Sequence, residues 1–189
     1  MRIIIRAVPD RFEFINYLRI QLPTAEWCFD HDYTRTDIDN KTKSMNTFLA
    51  SLEMSKNESH INMEEDVVIT RGFEEKAGAV IAEHPDSLIQ FFSMRKDDLT
   101  IGSRWDNNFM MNQCFYLPKG YPKSIADYRD KWPLKDLHPG GYDMMMGDWL
   151  RSEKLKYWIH VPSLVEHRVA KSIADPRRSS KRQSKTFRP

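Results

Sequence analysis

The sequence predicts one α/β domain, a Rossmann-like and mainly parallel sheet flanked by helices, followed by a basic C-terminal tail. Short apolar runs alternate with segments of helical spacing along most of the 189 residues, a pattern typical of α/β folds. Hydrophobic residues make up 40% of the chain, which suits a single core at this length. We see no repeat and no internal linker, and therefore assign residues 1–170 to the domain and 171–189 to the tail.

The elements follow from the spacing of apolar residues. Residues 2–8 form an apolar run that suits a buried strand, and Pro9 and Asp10 end it. Five further apolar runs of strand length lie at 27–29, 61–63, 87–92, 113–117 and 157–161. Five segments carry apolar residues at helical intervals, namely 11–21, 44–54, 74–82, 122–128 and 142–150. Residues 94–110 are polar with little periodicity and predict a loop.

Composition excludes several classes of protein. No apolar run approaches the roughly 20 residues that a membrane span needs, and the N-terminal patch carries Arg2 and Arg6 without a signal-peptide cleavage site. The chain has no glycine-rich phosphate loop of either common type. Cys28 and Cys114 lie in apolar surroundings without metal-type spacing, which indicates reduced core thiols. We expect a cytoplasmic protein.

Three adjacent carboxylates, Glu64, Glu65 and Asp66, follow the predicted strand at 61–63. Ligands of open α/β sheets bind outside the carboxyl ends of the strands. Adjacent acids repel one another, and a hard divalent cation with oxygen ligands would relieve that repulsion. The alternative is a solvated acidic turn, and the spacing alone does not decide between the two.

The same triplet resembles the acidic motif of nucleotide-sugar-dependent glycosyltransferases of the GT-A fold, in its variant Leu-Glu-Asp-Asp-Val. Met63 to Val67 stand in those places, and the sequence departs by having Glu at position 65. Four further segments resemble the family in the expected order, and with the triplet they span nearly residues 2–172. These segments are Ala7 to Arg11, Phe115 to Lys119, Gly141 to Arg151, and Val161 to His167 with its Pro-Ser-Leu-Val-x-His pattern.

The resemblance implies a site for Mn²⁺ or Mg²⁺ and a nucleotide-sugar donor, with a UDP-sugar as the default. Asp66 and His167 would be the metal ligands, and Glu64 or Glu65 would contact the ion through water or the ribose. The bound ion would orient the diphosphate leaving group as a Lewis acid. The remaining donor-binding residues implied by the resemblance are Pro9, Arg11 and Asp30 around the nucleoside, and Lys171 and Ser172 at the diphosphate.

Asp143 stands at the predicted start of the helix at 142–150. It could cap that helix, or it could act as the general base that takes a proton from an acceptor hydroxyl. In the family, inverting members use such an acid. Asp148 is the rival, but five residues later on a helix it would face roughly the opposite way.

Charge is unevenly distributed. Residues 171–189 contain seven basic residues and one acid, which gives +6 for the tail and leaves −4 for residues 1–170. The tail could be solvated, could fold over the donor diphosphate, or could contact a polyanion in a salt-dependent way. With a tail that contacts a polyanion, the protein resembles bacteriophage enzymes that glycosylate hydroxymethylated pyrimidines in DNA. A phage-encoded enzyme of this kind would act in the host cytoplasm.

The sequence is compatible with three other functions. A glycan or a lipid-linked acceptor competes with DNA for the same hexosyl- or pentosyltransferase chemistry. A metal-dependent nuclease would also use clustered acids and a basic tail, but positions 67 and 68 are Val where the common nuclease motif has Lys. A non-catalytic DNA-binding protein would need a basic face within residues 1–170, whose net charge is −4.

Overall fold

The computed structural model describes residues 1–170 and 182–189. Its strands are β1 (Ile3–Ala7), β2 (Glu26–Phe29), β3 (His60–Glu64), β4 (Val67–Ile69), β5 (Ile89–Gln90), β6 (Arg104–Asp106), β7 (Cys114–Leu117), β8 (Tyr157–Ile159) and β9 (Val165–His167). Its helices are α1 (Phe12–Gln21), α2 (Asn40–Met54), α3 (Phe73–Glu83), α4 (Asp98–Ile101), α5 (Tyr121–Lys131) and α6 (Tyr142–Ser152). None of the helices in the described ranges combines the length and apolar character that a membrane crossing requires.

The main sheet has seven strands in the order β2-β1-β3-β7-β5-β8-β6. The strands β2, β1, β3, β5 and β8 run in one direction, and β7 and β6 run in the other. A separate antiparallel pair is formed by β4 and β9. The predicted class, an α/β fold with a mixed and mainly parallel sheet, is therefore confirmed.

Alternation along β1 gives the sheet a core on each face. Ile3 and Ile5 pack with residues of α1 and α3, including Leu18 and Phe73. The opposite face carries a second core, built from α2, α5 and α6 with side chains such as Phe48. Burying one such side chain contributes roughly 1.5–3 kcal/mol, so the two cores hold the helices on opposite faces.

The order of the first three strands creates a crevice at their carboxyl ends. Both β2 and β3 pair in parallel with β1, on opposite sides of it. Right-handed crossovers in opposite directions place α1 and α2 on opposite faces of the sheet. The connections after β1 and β2 consequently leave toward opposite faces of the sheet, and ligands of open α/β sheets bind at such a point.

All predicted strands and helices are present, with changes at their ends. The helix α2 begins four residues earlier than predicted because the Asp39 side chain accepts hydrogen bonds from the backbone N–H groups of Lys41 and Thr42, at 2.8 and 3.1 Å. Only Ile89–Gln90 of the run at 87–92 pairs as a strand. The cysteines are buried and form no disulfide.

The prediction of a loop over residues 94–110 was wrong. This stretch contains α4 and β6, and β6 pairs antiparallel with β8 at the edge of the sheet. Ion pairs stabilise it, with Arg95 on Asp106 at 2.9 Å and Arg104 on the buried Asp98 at 3.0 Å. Ion pairs, and pairing with a strand that lies far along the chain, leave no periodic pattern of apolar residues in the sequence.

Candidate functional site

A cleft of about 400 Å³ opens at the carboxyl ends of β1 and β3. One wall consists of the residues after β1 and β3, and the other consists of the start of α2 and the loop that leads into α6. Within the second wall, Gly140 allows the loop before α6 to approach the start of α2, because a Cβ atom at position 140 would lie 2.6 Å from the Lys41 carbonyl oxygen. The cleft therefore lies at the divergence that the strand order creates.

The three carboxylates of the acidic triplet face different partners. The backbone N–H of Glu65 donates to the carbonyl of Arg6 at 3.0 Å, which continues the pairing of β3 with β1. The Glu64 carboxylate accepts a hydrogen bond from the Tyr142 hydroxyl at 2.5 Å and lies 3.6 Å from the Arg6 guanidinium. Glu65 and Asp66 turn instead toward Arg11. Specific cations thus relieve the repulsion within the triplet.

Arg11 joins the two buried acids at the end of the turn that follows β1. Its Nη1 atom lies 2.7 Å from Asp66 Oδ2 and 3.2 Å from Glu65 Oε1. The backbone N–H of Arg11 donates to the Val8 carbonyl at 3.1 Å, and this turn aims the side chain at the acids. Arg11 lines the cleft, and its positive charge offsets the carboxylates at the end of β3.

The pKa values of the neighbouring acids Glu65 and Asp66 are shifted in opposite directions. Burial, together with the charge of Asp66, raises the pKa of Glu65 to about 8. Burial also opposes the ionisation of Asp66, but interactions with His167 and Arg11 outweigh it and lower the pKa of Asp66 to about 2. Asp66 is consequently the better anionic ligand of the two at neutral pH.

The β4–β9 pair brings His167 next to Asp66. Val67 is the register partner of His167, and the backbone N–H of Arg168 donates to the Asp66 carbonyl at 2.8 Å. His167 Nε2 then lies 3.4 Å from Asp66 Oδ2. Two buried atoms of this pair, Asp66 Oδ1 and His167 Nδ1, make no hydrogen bond with any described residue. The two predicted metal ligands are therefore neighbours.

No group of three or more His, Cys, Asp or Glu side chains that could hold a metal was found in the described ranges. A carboxylate and an imidazole nevertheless form a donor set that suits Mn²⁺. The unsatisfied Asp66 Oδ1 adds a lone pair at the same place. With two protein ligands, the remaining coordination positions would fall to phosphate oxygens and water.

Asp143 lines the cleft at the first turn of α6. The N-cap of this helix is Gly141, so Asp143 does not cap it. Its Oδ1 accepts a hydrogen bond from the Met144 backbone N–H at 2.9 Å. The rival Asp148 is engaged elsewhere, because its carboxylate accepts from Trp132 Nε1 at 2.7 Å and pairs with Arg151.

The other predicted donor-binding residues are only partly brought together. Asp30 lines the cleft, and its Oδ1 accepts a hydrogen bond from the Asp32 backbone N–H at 2.9 Å. Pro9 does not line the cleft, although Val8 and Arg11 do. Lys171 and Ser172 lie outside the described residues.

Sequence reasoning missed Arg6 and Tyr142 as parts of the site. The Arg6 guanidinium is buried, donates to the Asn112 carbonyl at 2.9 Å and lies 5.0 Å from the centre of the Tyr142 ring. That ring stacks on Phe48 at 4.8 Å. The signal for Arg6 was present, since it is a single charge within the apolar run of β1.

Residues 182–189 pack against the domain near the β4–β9 pair. Thr186 is buried, and its hydroxyl accepts a hydrogen bond from the Ser163 backbone N–H at 3.1 Å. Arg182 reaches the cleft, and its guanidinium lies 2.8 Å from His167 Nε2. The other predicted tail residues, 171–181, lie outside the described residues.

Comparisons with known proteins define the class of fold. No family model matches the chain, and no curated protein matches it. Among solved structures, the chain is similar to the crystal structure of A197 from STIV, with a TM-score of 0.51 and 14% sequence identity. The match covers 89% of this chain and 85% of that chain. This likeness supports the α/β fold over nearly the whole length of both proteins.

Proposed function

We propose that the protein is a metal-dependent glycosyltransferase that moves a sugar from a nucleotide diphosphate to an acceptor hydroxyl. The observation that carries the proposal is the Asp66–His167 pair, with 3.4 Å between Nε2 and Oδ2, beside a cleft at the carboxyl ends of β1 and β3. The GT-A resemblance assigns these same two residues to the metal. In open α/β sheets, nucleotide ligands bind outside the carboxyl ends of the strands, which is where this cleft lies.

Asp66 and His167 would hold Mn²⁺ or Mg²⁺. When bound, the ion would act as a Lewis acid on the departing diphosphate. Arg11 keeps Asp66 ionised and supplies a second positive charge at this end of the cleft. Tyr142 and Arg6 hold Glu64 at the cleft wall, where its carboxylate can accept hydrogen bonds from a ribose or a sugar.

Asp143 is the acid of the cleft best suited to receive a proton from an acceptor. Its carboxylate accepts one backbone hydrogen bond and stays half-exposed at the start of α6. Asp66 is held by His167 and Arg11, which lowers its pKa. The Glu64 carboxylate is engaged by the Tyr142 hydroxyl beside Arg6. This assignment applies to a reaction that inverts the anomeric centre.

A thermal-shift panel of nucleotide sugars with and without Mn²⁺ tests the proposal. Ligand at about 100 times its Kd stabilises a native protein by about 2.7 kcal/mol, which for a domain of this size corresponds to a rise of roughly 5–10 °C. We expect that rise with one donor only when Mn²⁺ is present. Asp66→Asn should abolish it, and Asp143→Asn should keep it while losing transfer.

A different outcome would redirect the assignment. Stabilisation by DNA oligonucleotides, with no response to any nucleotide sugar, would contradict the transferase and favour the nuclease or the DNA-binding protein. Cleavage of such oligonucleotides in the presence of Mn²⁺ would then separate those two classes.

For the acceptor we propose the hydroxymethyl group of a modified pyrimidine in DNA, with glycans and lipid-linked acceptors as the alternatives. The supporting feature is the +6 charge of residues 171–189, of which Lys185 and Arg188 are exposed at the surface of the domain. Incubation with donor and a hydroxymethylated duplex should add the mass of one sugar to the oligonucleotide. Transfer to a glycan or lipid-linked acceptor alone would contradict DNA as the substrate.

A further inference from the structure

The segment 182–189 is anchored by side-chain and backbone hydrogen bonds. The backbone N–H of Ser184 donates to both carboxylate oxygens of Glu166, at 3.0 and 3.2 Å. The Ser184 hydroxyl donates to Ser163 Oγ at 2.8 Å, and Thr70 Oγ1 donates to the Arg188 carbonyl at 2.7 Å. These contacts hold the segment against β9, which supplies His167, and against Ser163 just before it.

Arg182 contacts the ring nitrogen of His167 that faces the predicted metal ligand Asp66. Its guanidinium lies 2.8 Å from Nε2, and a guanidinium can only donate hydrogen bonds. In this contact Nε2 therefore offers its lone pair to Arg182. Nε2 is also the ring nitrogen nearest to Asp66 Oδ2.

The arrangement places a positive charge where the proposed cation would bind. The Asp66 carboxylate, 3.4 Å from Nε2, already has Arg11 at 2.7 Å. The guanidinium of Arg182 thus adds a second cation to the pair. A divalent ion coordinated by Nε2 cannot share that lone pair with Arg182, and the two like charges would repel each other at close range.

We propose that Arg182 is a built-in competitor of the divalent cation, and that metal binding requires its guanidinium to leave His167. This inference rests on the proposed function, since it concerns the same metal pair. Because Arg182 belongs to the segment 182–189, the position of that segment then affects metal binding. The chain binds free Mn²⁺ more weakly than its two ligands alone would allow.

Mn²⁺ binding measured by electron paramagnetic resonance tests this without any donor or acceptor. We expect Arg182→Ala to bind Mn²⁺ at least about tenfold more tightly than the native chain, a factor that corresponds to about 1.4 kcal/mol. Lys185→Ala is the matched control, because it removes the same charge from an exposed position of the same segment. It should change Mn²⁺ affinity by less than about twofold, the effect of a distant, screened charge.

The possible failures are distinguishable. Equal or weaker Mn²⁺ binding by Arg182→Ala would overturn the competition while leaving the metal site intact. Equal tightening by both variants would also overturn it, because a general loss of positive charge would then be the cause. Absence of Mn²⁺ binding in the native chain and in Arg182→Ala would refute the metal site itself, and the competition with it.

Discussion

Replacing Arg11 by Met tests whether this side chain neutralises the end of β3. The substitution keeps most of the side-chain volume and removes the cation that contacts Asp66 at 2.7 Å and Glu65 at 3.2 Å. Both acids are buried, so the change leaves adjacent carboxylates without this partner. Breaking a buried ion pair in this way costs about 3–5 kcal/mol, a large part of the roughly 5–15 kcal/mol by which domains are stable.

For a domain of this size, such a loss lowers the Tm by roughly 6–20 °C. Differential scanning calorimetry at pH 7 measures it directly. Arg35→Met is the matched control, since Arg35 also pairs with two acids, Asp32 and Asp37, but at the surface, where such pairs contribute little. A Tm for Arg11→Met within 2 °C of the native value, on the order of 1 kcal/mol or less, would refute the reasoning.

Three further predictions concern other contacts of the cleft. Burial raises the pKa of Glu65 to about 8, so the native state binds a proton that the unfolded chain has lost, and native stability should fall as the pH rises from about 4.5 to about 8. Glu65→Gln should remove that pH dependence in unfolding curves collected across this range. An unchanged slope of the free energy of unfolding against pH in the variant would contradict the prediction. Tyr142→Phe deletes the hydroxyl that donates to Glu64 at 2.5 Å and should destabilise the protein by roughly 1.5–3 kcal/mol in urea titrations. Gly140→Ala would bring a methyl group to 2.6 Å from the Lys41 carbonyl oxygen and should cost about 1–3 kcal/mol, whereas Gly78→Ala, with open space around it, should be neutral or stabilising.

The position of the acidic triplet was predictable because it depends on chain order alone. A buried apolar run ends at Met63 and charged residues follow it, which puts the acids at a strand end in any parallel sheet. Their division between two sets of partners was not predictable. Tyr142 reaches Glu64 from 78 residues away along the chain, and no local pattern encodes such a contact.

The strands that the sequence did not predict also depend on contacts with distant parts of the chain. Each of β4, β6 and β9 has only three residues, too few for alternation to stand out from a loop. Each exists because another strand pairs with it, as β9 pairs with β4 across about a hundred residues of chain. Short strands of this kind are products of the fold, and their own propensities contribute little.

What the sequence determined by itself is the α/β class, the order of the main strands and helices, and a carboxylate cluster at the end of β3. These follow from apolar periodicity, which reports the burial of each segment locally. The tertiary structure decided which partner each arginine meets: Arg11 contacts Asp66, Arg6 contacts Glu64, and Arg182 contacts the imidazole of His167. Such pairings depend on where distant segments lie after both cores have formed, and charge has no period along the chain from which to predict them.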